Sequence, residues 1–135
     1  MPMVTTPFTR DVIGCAIKVH RVLGPGLLEM AYGHCMCHEL RKRKLEFQQQ
    51  VALPLFYEGH KLPCVYRADL IVERQLLVEF KVIERVTALH RAQTLTYMRL
   101  AEVPQALLIN FNVPRLVDGL HSFVAPAARP SAEVM

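Results

Sequence analysis

Apolar residues recur at helical spacing from Thr9 onward, with Val12, Ile13, Ala16, Ile17, His20 and Leu23 on one stripe and Thr9 in the N-cap position. Gly24-Pro25-Gly26 must stop that helix, because proline has no N–H to donate and glycine admits left-handed angles. A second helix follows with Leu28, Tyr32, Cys35 or Met36, and Leu40 on one stripe. It closes in Arg41-Lys42-Arg43-Lys44, where cations suit the negative end of the helix dipole. The period then changes. Residues 46–57 predict an extended strand, irregular at Pro54, and Glu58-Gly59-His60 a turn. Two short strands are expected at 66–72 and 76–82, separated by Glu73-Arg74-Gln75. Helical spacing returns over residues 88–101; 106–111 reads as a buried strand and 121–124 as an edge strand. This order predicts an α/β fold, a mixed central β-sheet flanked by α-helices. Residues 1–8 are expected to be a flexible lead-in and 125–135 a disordered tail, leaving 9–124 as the folded domain.

A chain of 135 residues fits one core, and 52% hydrophobic with 21% charged residues is ordinary globular chemistry. No apolar run approaches the ~20 residues needed to cross a bilayer. The first residues lack a charged segment followed by an apolar block, so no secretory signal or membrane partner is expected and a cytoplasmic location is. The four cysteines, at 15, 35, 37 and 64, then read as free thiols in or near the core. Sixteen basic residues against twelve acidic give a net charge of +4, which permits a polyanionic partner without demanding one. Aromatic residues are only 7% and tryptophan is absent, which leaves little material for a platform that stacks single strands.

The candidate chemistry lies in the strands around residues 73–75. A three-residue loop there sets Val72 opposite Leu76, Leu70 opposite Val78 and Ala68 opposite Phe80, one wholly apolar face. The other face then pairs Arg67 with Lys81, Asp69 with Glu79, and Ile71 with Leu77. A one-residue slip would scatter these charges over both faces, so the pattern favours this register. Asp69 and Glu79 would lie with Cβ atoms about 5 Å apart, where like charges repel. A hard divalent cation such as Mg²⁺ would convert that repulsion into coordination, with Lys81 projecting beside it. The simpler reading is a solvated sheet face on which Arg67 and Lys81 neutralise two carboxylates; Ile71 and Leu77 argue against it, because they imply burial of this face too.

Asp69, nine intervening residues and then Glu79-Phe80-Lys81 resembles the active-site pattern of the PD-(D/E)xK nuclease superfamily. Gly26-Leu27-Leu28-Glu29-Met30-Ala31-Tyr32 resembles the motif that names the GxxExxY protein family within it, and Gln93-Thr94-Leu95-Thr96-Tyr97 the Q-x-x-x-Y pattern of RecB-type nucleases. Val19-His20-Arg21, Tyr66-Arg67-Ala68-Asp69-Leu70 and Leu108-Ile109-Asn110-Phe111-Asn112 are also similar to GxxExxY proteins. The resemblance covers residues 9–124. Two departures, Gln105-Ala106 where a glycine is more usual and Lys44 in place of a common glycine, lie away from the motif residues. The resemblance implies a restriction-endonuclease-like core and Mg²⁺- or Mn²⁺-dependent hydrolysis of phosphodiester bonds in nucleic acid, with DNA favoured. It implies that Asp69, Glu79 and the Phe80 carbonyl ligate the metal, that Lys81 orients the attacking water or stabilises charge, and that Glu29 is an additional acid. It also implies that Gln93 and Tyr97 support the site or contact substrate. The alternative is a nuclease-fold module, weak or inactive in catalysis, that binds nucleic acid or a protein partner; a homodimer could also supply substrate-selecting surface.

Other residues have competing readings. Glu29 also reads as a surface acid stabilised by the helix dipole, and Gln93 with Tyr97 as a helix surface pair. His20 reads as a hydrogen-bonded, semi-buried histidine or as a supporting residue of the site, together with Arg67. His90 is expected to be solvent-exposed, and Glu84 to make a local ion pair or face the site. On a helix only His34 and His38 of His34-Cys35-Met36-Cys37-His38 share a face, so the run does not close a tetrahedral zinc site. No cysteine follows Cys64, which disfavours an iron–sulfur cluster. Arg41-Lys42-Arg43-Lys44 could contact phosphates or simply be a solvated helix end, while Arg67, Arg85, Arg91 and Arg99 fall nearer the expected site.

Overall fold

The computed structural model describes residues 7–126, apart from the side chains of residues 64 and 65. Most of the expected lead-in and tail, and the Cys64 thiol, therefore lie outside the described residues. Helix α1 (Thr9–Leu23) buries Val12, Cys15, Ala16, Val19 and His20. The stripe is rotated from the expected one: Ile17 is 39% exposed, because Cys15 and Val19 take the core-facing positions. Phe8, not Thr9, is the N-cap; Thr9 is inside the helix, and its hydroxyl donates to Gln105 Oε1 across the core at 3.0 Å.

Helix α2 (Glu29–Lys42) buries Tyr32, Met36, Cys37 and Leu40, whereas Leu28 stands before the helix, largely exposed. Its last turn closes in a Schellman motif: Leu45 N–H donates to Leu40 O and Lys44 N–H to Arg41 O, with Lys44 at φ +59. This departure from the resembled pattern thus falls at a position that takes a left-handed residue. Lys44→Gly is expected to raise stability by about 1 kcal/mol by removing that strain, read from the midpoint of urea unfolding.

Strands β1 (Phe47–Tyr57) and β2 (His60–Val72) pair antiparallel through a tight turn at Glu58-Gly59, both left-handed, with a register shift between Pro54 and Phe56. The two-residue turn lets pairing resume at Tyr57↔His60, so β2 starts well before the expected residue 66. β3 (Leu76–Lys81) pairs with β2 as Val72↔Leu76, Ile71↔Leu77 and Leu70↔Val78, the expected register over these positions, and it stops at Lys81 rather than residue 82. Helix α3 (Ala88–Ala101) crosses over to β4 (Gln105–Asn110), which runs parallel to β3. A short 3-10 helix (Leu116–Gly119) then leads to the antiparallel edge strand β5 (Leu120–Val124). Gly119 is required there, since a Cβ would stand 2.0 Å from Asn110 O.

The result is an α/β fold with a five-stranded mixed sheet of order β1-β2-β3-β4-β5. One face packs under α1 and α2 through Leu70, Val72, Leu76, Val78, Phe80, Leu107 and Ile109. The other packs under α3 through Leu53, Ala68, Ile71, Leu77 and Ala106. β3 and β4 carry apolar residues on both faces because both faces are covered. No helix among the described residues is long and apolar enough to cross a membrane.

Candidate active site

The ladder between β2 and β3 ends at Leu70↔Val78, and the strands fork there. Side chains bridge the opening: Asp69 N–H donates to Glu79 Oε2 at 2.6 Å, and Phe80 N–H donates to Asp69 Oδ2 at 2.8 Å. The expected pairs Asp69–Glu79, Ala68–Phe80 and Arg67–Lys81 therefore do not form as ladder partners. The physical reason lies in β1. Gln50, between the pairs Gln49↔Leu70 and Val51↔Ala68, has φ +49, and the ladder skips Gln50 and Asp69. The alternation of β2 breaks at that point. Ala68 packs with Ile71 and Leu77 under α3 instead of joining Leu70 and Val78, while Asp69 and Leu70 both line the cleft beneath α2.

Three carboxylates meet at the fork. Glu79 is only 6% exposed; burial, then repulsion from Asp69, push its pKa up to about 8, against the pull of Asp69 N–H and Lys81. Burial also raises Asp69, opposed by Phe80 N–H, Gln50 and Lys81. Glu29, the first residue of α2, is an exposed acid at the rim of the fork, raised by partial desolvation and by Asp69 and lowered by Lys81. Among the described residues none of these carboxylates has an ion-pair partner within 4.0 Å; Lys81 acts on all three from further away. Nor do three or more His, Cys, Asp or Glu side chains among the described residues close into a ready-made metal cage. Asp69 and Glu79 each give one oxygen to a backbone N–H across the fork, and the other Asp69 oxygen accepts from Gln50 Nε2 at 3.4 Å.

Glu29 is placed by the turn before it. The Tyr32 hydroxyl donates to Gly24 O and accepts from Leu27 N–H at 3.3 Å, while its ring stacks on Phe111 at 4.3 Å. Phe111 in turn tilts against Phe80 at 5.9 Å. Tyr32→Phe is expected to cost about 1–2 kcal/mol, because it leaves the Gly24 carbonyl and Leu27 N–H without their partner; chemical denaturation checks it. Lys81 is fixed at the end of β3: Phe111 N–H donates to Lys81 O at 2.9 Å. The Asn110 carboxamide accepts from Ile83 N–H at 3.1 Å and donates to Ile83 O at 2.9 Å. On α3, Gln93 Nε2 donates to the Tyr97 hydroxyl at 3.2 Å. Burial and then Glu79 raise the Tyr97 phenol, and the Tyr66 ring lies 5.8 Å from it. Tyr97 is therefore a buried neighbour of Glu79 and not half of a surface pair.

Of the expected site residues, Asp69, Glu79, Lys81, Glu29 and Tyr97 come together, with Gln93 attached through Tyr97. Phe80 carries the N–H that holds Asp69. His20 is buried with Nε2 2.7 Å from Val113 O, a partner outside the carboxylate cluster. Arg67 is exposed on β2 and is not among the charges that shift the carboxylates. His90 is not merely solvated: its Nδ1 accepts from Thr87 N–H at 3.0 Å, closing a capping box at the start of α3. The basic run that closes α2 serves the domain's own surface, with Arg41 over the Phe47 ring, Lys42 near Glu39 and Arg43 bonded to Asp11 at 3.3 Å. Cys15 and Cys37 are buried free thiols, and Cys35 is half-buried. Gln50 and Asn110 are the site residues that sequence reasoning did not single out by role. Neither type, inside an extended run, signals its position.

A cleft of about 550 Å³ opens beside the fork, lined by Glu29, His34, Gln49, Gln50, Asp69 and Phe80 among others. The model of the PD-(D/E)XK nuclease superfamily matches residues 6–122. The chain belongs to that superfamily. Neither a curated protein nor a solved structure matches it. In this PD-(D/E)XK domain the match takes in all three helices and four whole strands, and it ends within β5. A nuclease-type function follows from the superfamily.

Proposed function

We propose that this PD-(D/E)XK domain is a metal-dependent nuclease of the GxxExxY and RecB type, hydrolysing phosphodiester bonds in nucleic acid, with DNA favoured. The observation that carries the reading is the fork: buried Glu79 and half-buried Asp69 repelling each other, the exposed Glu29 repelled by Asp69, one nearby lysine, and a cleft lined by Asp69 and Glu29. Buried like charges without ion-pair partners are costly unless a cation joins them. The donor set is all carboxylate oxygen, which suits Mg²⁺ or Mn²⁺. Asp69, Glu79 and Glu29 would hold it, with the Phe80 carbonyl as a further oxygen. When bound, such an ion supplies an activated water and positive charge at a phosphate oxygen. Lys81 would orient the attacking water or meet the charge that develops in the transition state, from the end of a strand that Phe111 N–H pins. Tyr97, held by Gln93, buttresses Glu79 from the α3 side. Arg67 contacts substrate from the exposed face of β2, and the chain's +4 charge favours a polyanion. We place the protein in the cytoplasm and leave room for a second copy to complete the substrate surface.

The test is cleavage of end-labelled single- and double-stranded DNA with Mg²⁺, Mn²⁺ or EDTA, over a salt series. The reading requires cutting that either metal supports and EDTA stops, with binding that weakens steeply as salt rises. Salt-sensitive binding without cutting under any metal would instead favour a nuclease-fold binding module.

A further inference from the structure

Gln50 sits where the backbone of β1 turns left-handed. Its φ of +49 is a left-handed angle that residues with a Cβ seldom adopt and that glycine adopts freely. The site does not demand glutamine for packing, since the residue is exposed. What it does make is a contact. Gln50 Nε2 donates to Asp69 Oδ1 at 3.4 Å from β1, while Phe80 N–H holds Oδ2 at 2.8 Å from β3. The Asp69 carboxylate is thereby held from both flanking strands with one donor on each oxygen, which fixes its plane and leaves each oxygen a further lone pair. Gln50 also lines the same cleft as Glu29 and Asp69, and the skipped Gln50/Asp69 position is where β2 loses its alternation.

We propose that Gln50 is a positioning residue: the kinked backbone of β1 places its carboxamide on Asp69 Oδ1, so that Asp69 is presented to a divalent cation in a single orientation. The inference rests on the reading of Asp69 as a metal-holding residue. Such outer partners commonly change metal affinity by about 10–100-fold when removed.

The experiment is titration of the metal-free protein with Mn²⁺, read from the free-ion signal in electron paramagnetic resonance, for wild type, Gln50→Gly, Gln50→Ala and Asp69→Asn, each with a melting curve. Gln50→Gly should melt higher than wild type, because the angle is relieved, and yet bind Mn²⁺ about 10-fold more weakly. Gln50→Ala keeps the strained angle and should lose the same affinity without the gain in melting temperature. Wild-type affinity in Gln50→Gly, with affinity lost in Asp69→Asn, would overturn the positioning role alone. Undiminished Mn²⁺ binding by Asp69→Asn would overturn the metal reading of Asp69 and the role of Gln50 with it.

Discussion

Glu79→Gln is expected to abolish metal-dependent cleavage, a loss on the order of 10³-fold or more, while the folded protein remains intact and metal-free stability rises. The two halves of this expectation come from the same observation. Glu79 is buried beside Asp69 and accepts a hydrogen bond from Asp69 N–H. Glutamine keeps the shape and, through Oε1, the acceptor for that N–H. It removes the charge that burial and Asp69 oppose and that a divalent ion would require. Asp69→Asn is expected to behave in the same way. Lys81→Met should retain metal binding but lose about 10²–10³-fold in rate, since a cation aimed at developing charge is what it removes. A mutation that destroyed activity by unfolding would lower the melting temperature. Here the expected sign is the opposite, so activity and stability together separate chemistry from collapse.

The metal-free protein should lose stability as pH rises from about 4.5 to about 8. Glu79 titrates at about 8 in the fold against an ordinary value of 4.5, so between those limits the folded protein holds a proton that the unfolded chain has released. Unfolding then releases a proton, and stability falls with pH across the window; below the unfolded value the effect vanishes, and above the folded value it is complete. Asp69 and Glu29 are raised in the same direction and act with the same sign. At about 1.4 kcal/mol for each tenfold change in proton affinity, Glu79 alone contributes on the order of 5 kcal/mol. Urea unfolding at pH 5 and pH 8 measures it, and Glu79→Gln should flatten most of the slope. Saturating Mn²⁺ should reverse the trend, because a cation favours the ionised carboxylates that alkaline pH supplies.

The helices, the succession of elements along the chain and the register next to residues 73–75 were legible because each rests on periodicity or on turn length. The gathering of Asp69, Glu79, Lys81 and Glu29 was legible from spacing and resemblance. The geometry of that gathering was not. A strict two-residue alternation carries Ala68 to the same face as Leu70, but Ala68 packs on the other, next to the skipped position where Gln50 on the neighbouring strand takes a left-handed angle. Nothing in a run of three glutamines marks which one turns. The longer β2 was hidden by Pro63 and by a polar Glu58-Gly59-His60 stretch whose first two residues form the turn and whose third already pairs in β2. Thr9 and His90 reversed their expected places for a related reason. The Thr9 hydroxyl found a core partner in Gln105, and an imidazole at the third position of α3 did what a glutamate does in the usual capping box. Lys44, a departure from the resembled pattern, marks a conformation rather than a loss: the left-handed angle persists without the glycine.

The most direct test of the central claim is single-turnover cleavage of labelled duplex and single-stranded DNA by wild type and Glu79→Gln, purified side by side and assayed with Mg²⁺ or Mn²⁺. Cutting by the wild type alone, silenced by EDTA, is the predicted result. Equal cutting by both proteins would contradict it, because the activity would then owe nothing to the carboxylate at the centre of the fork.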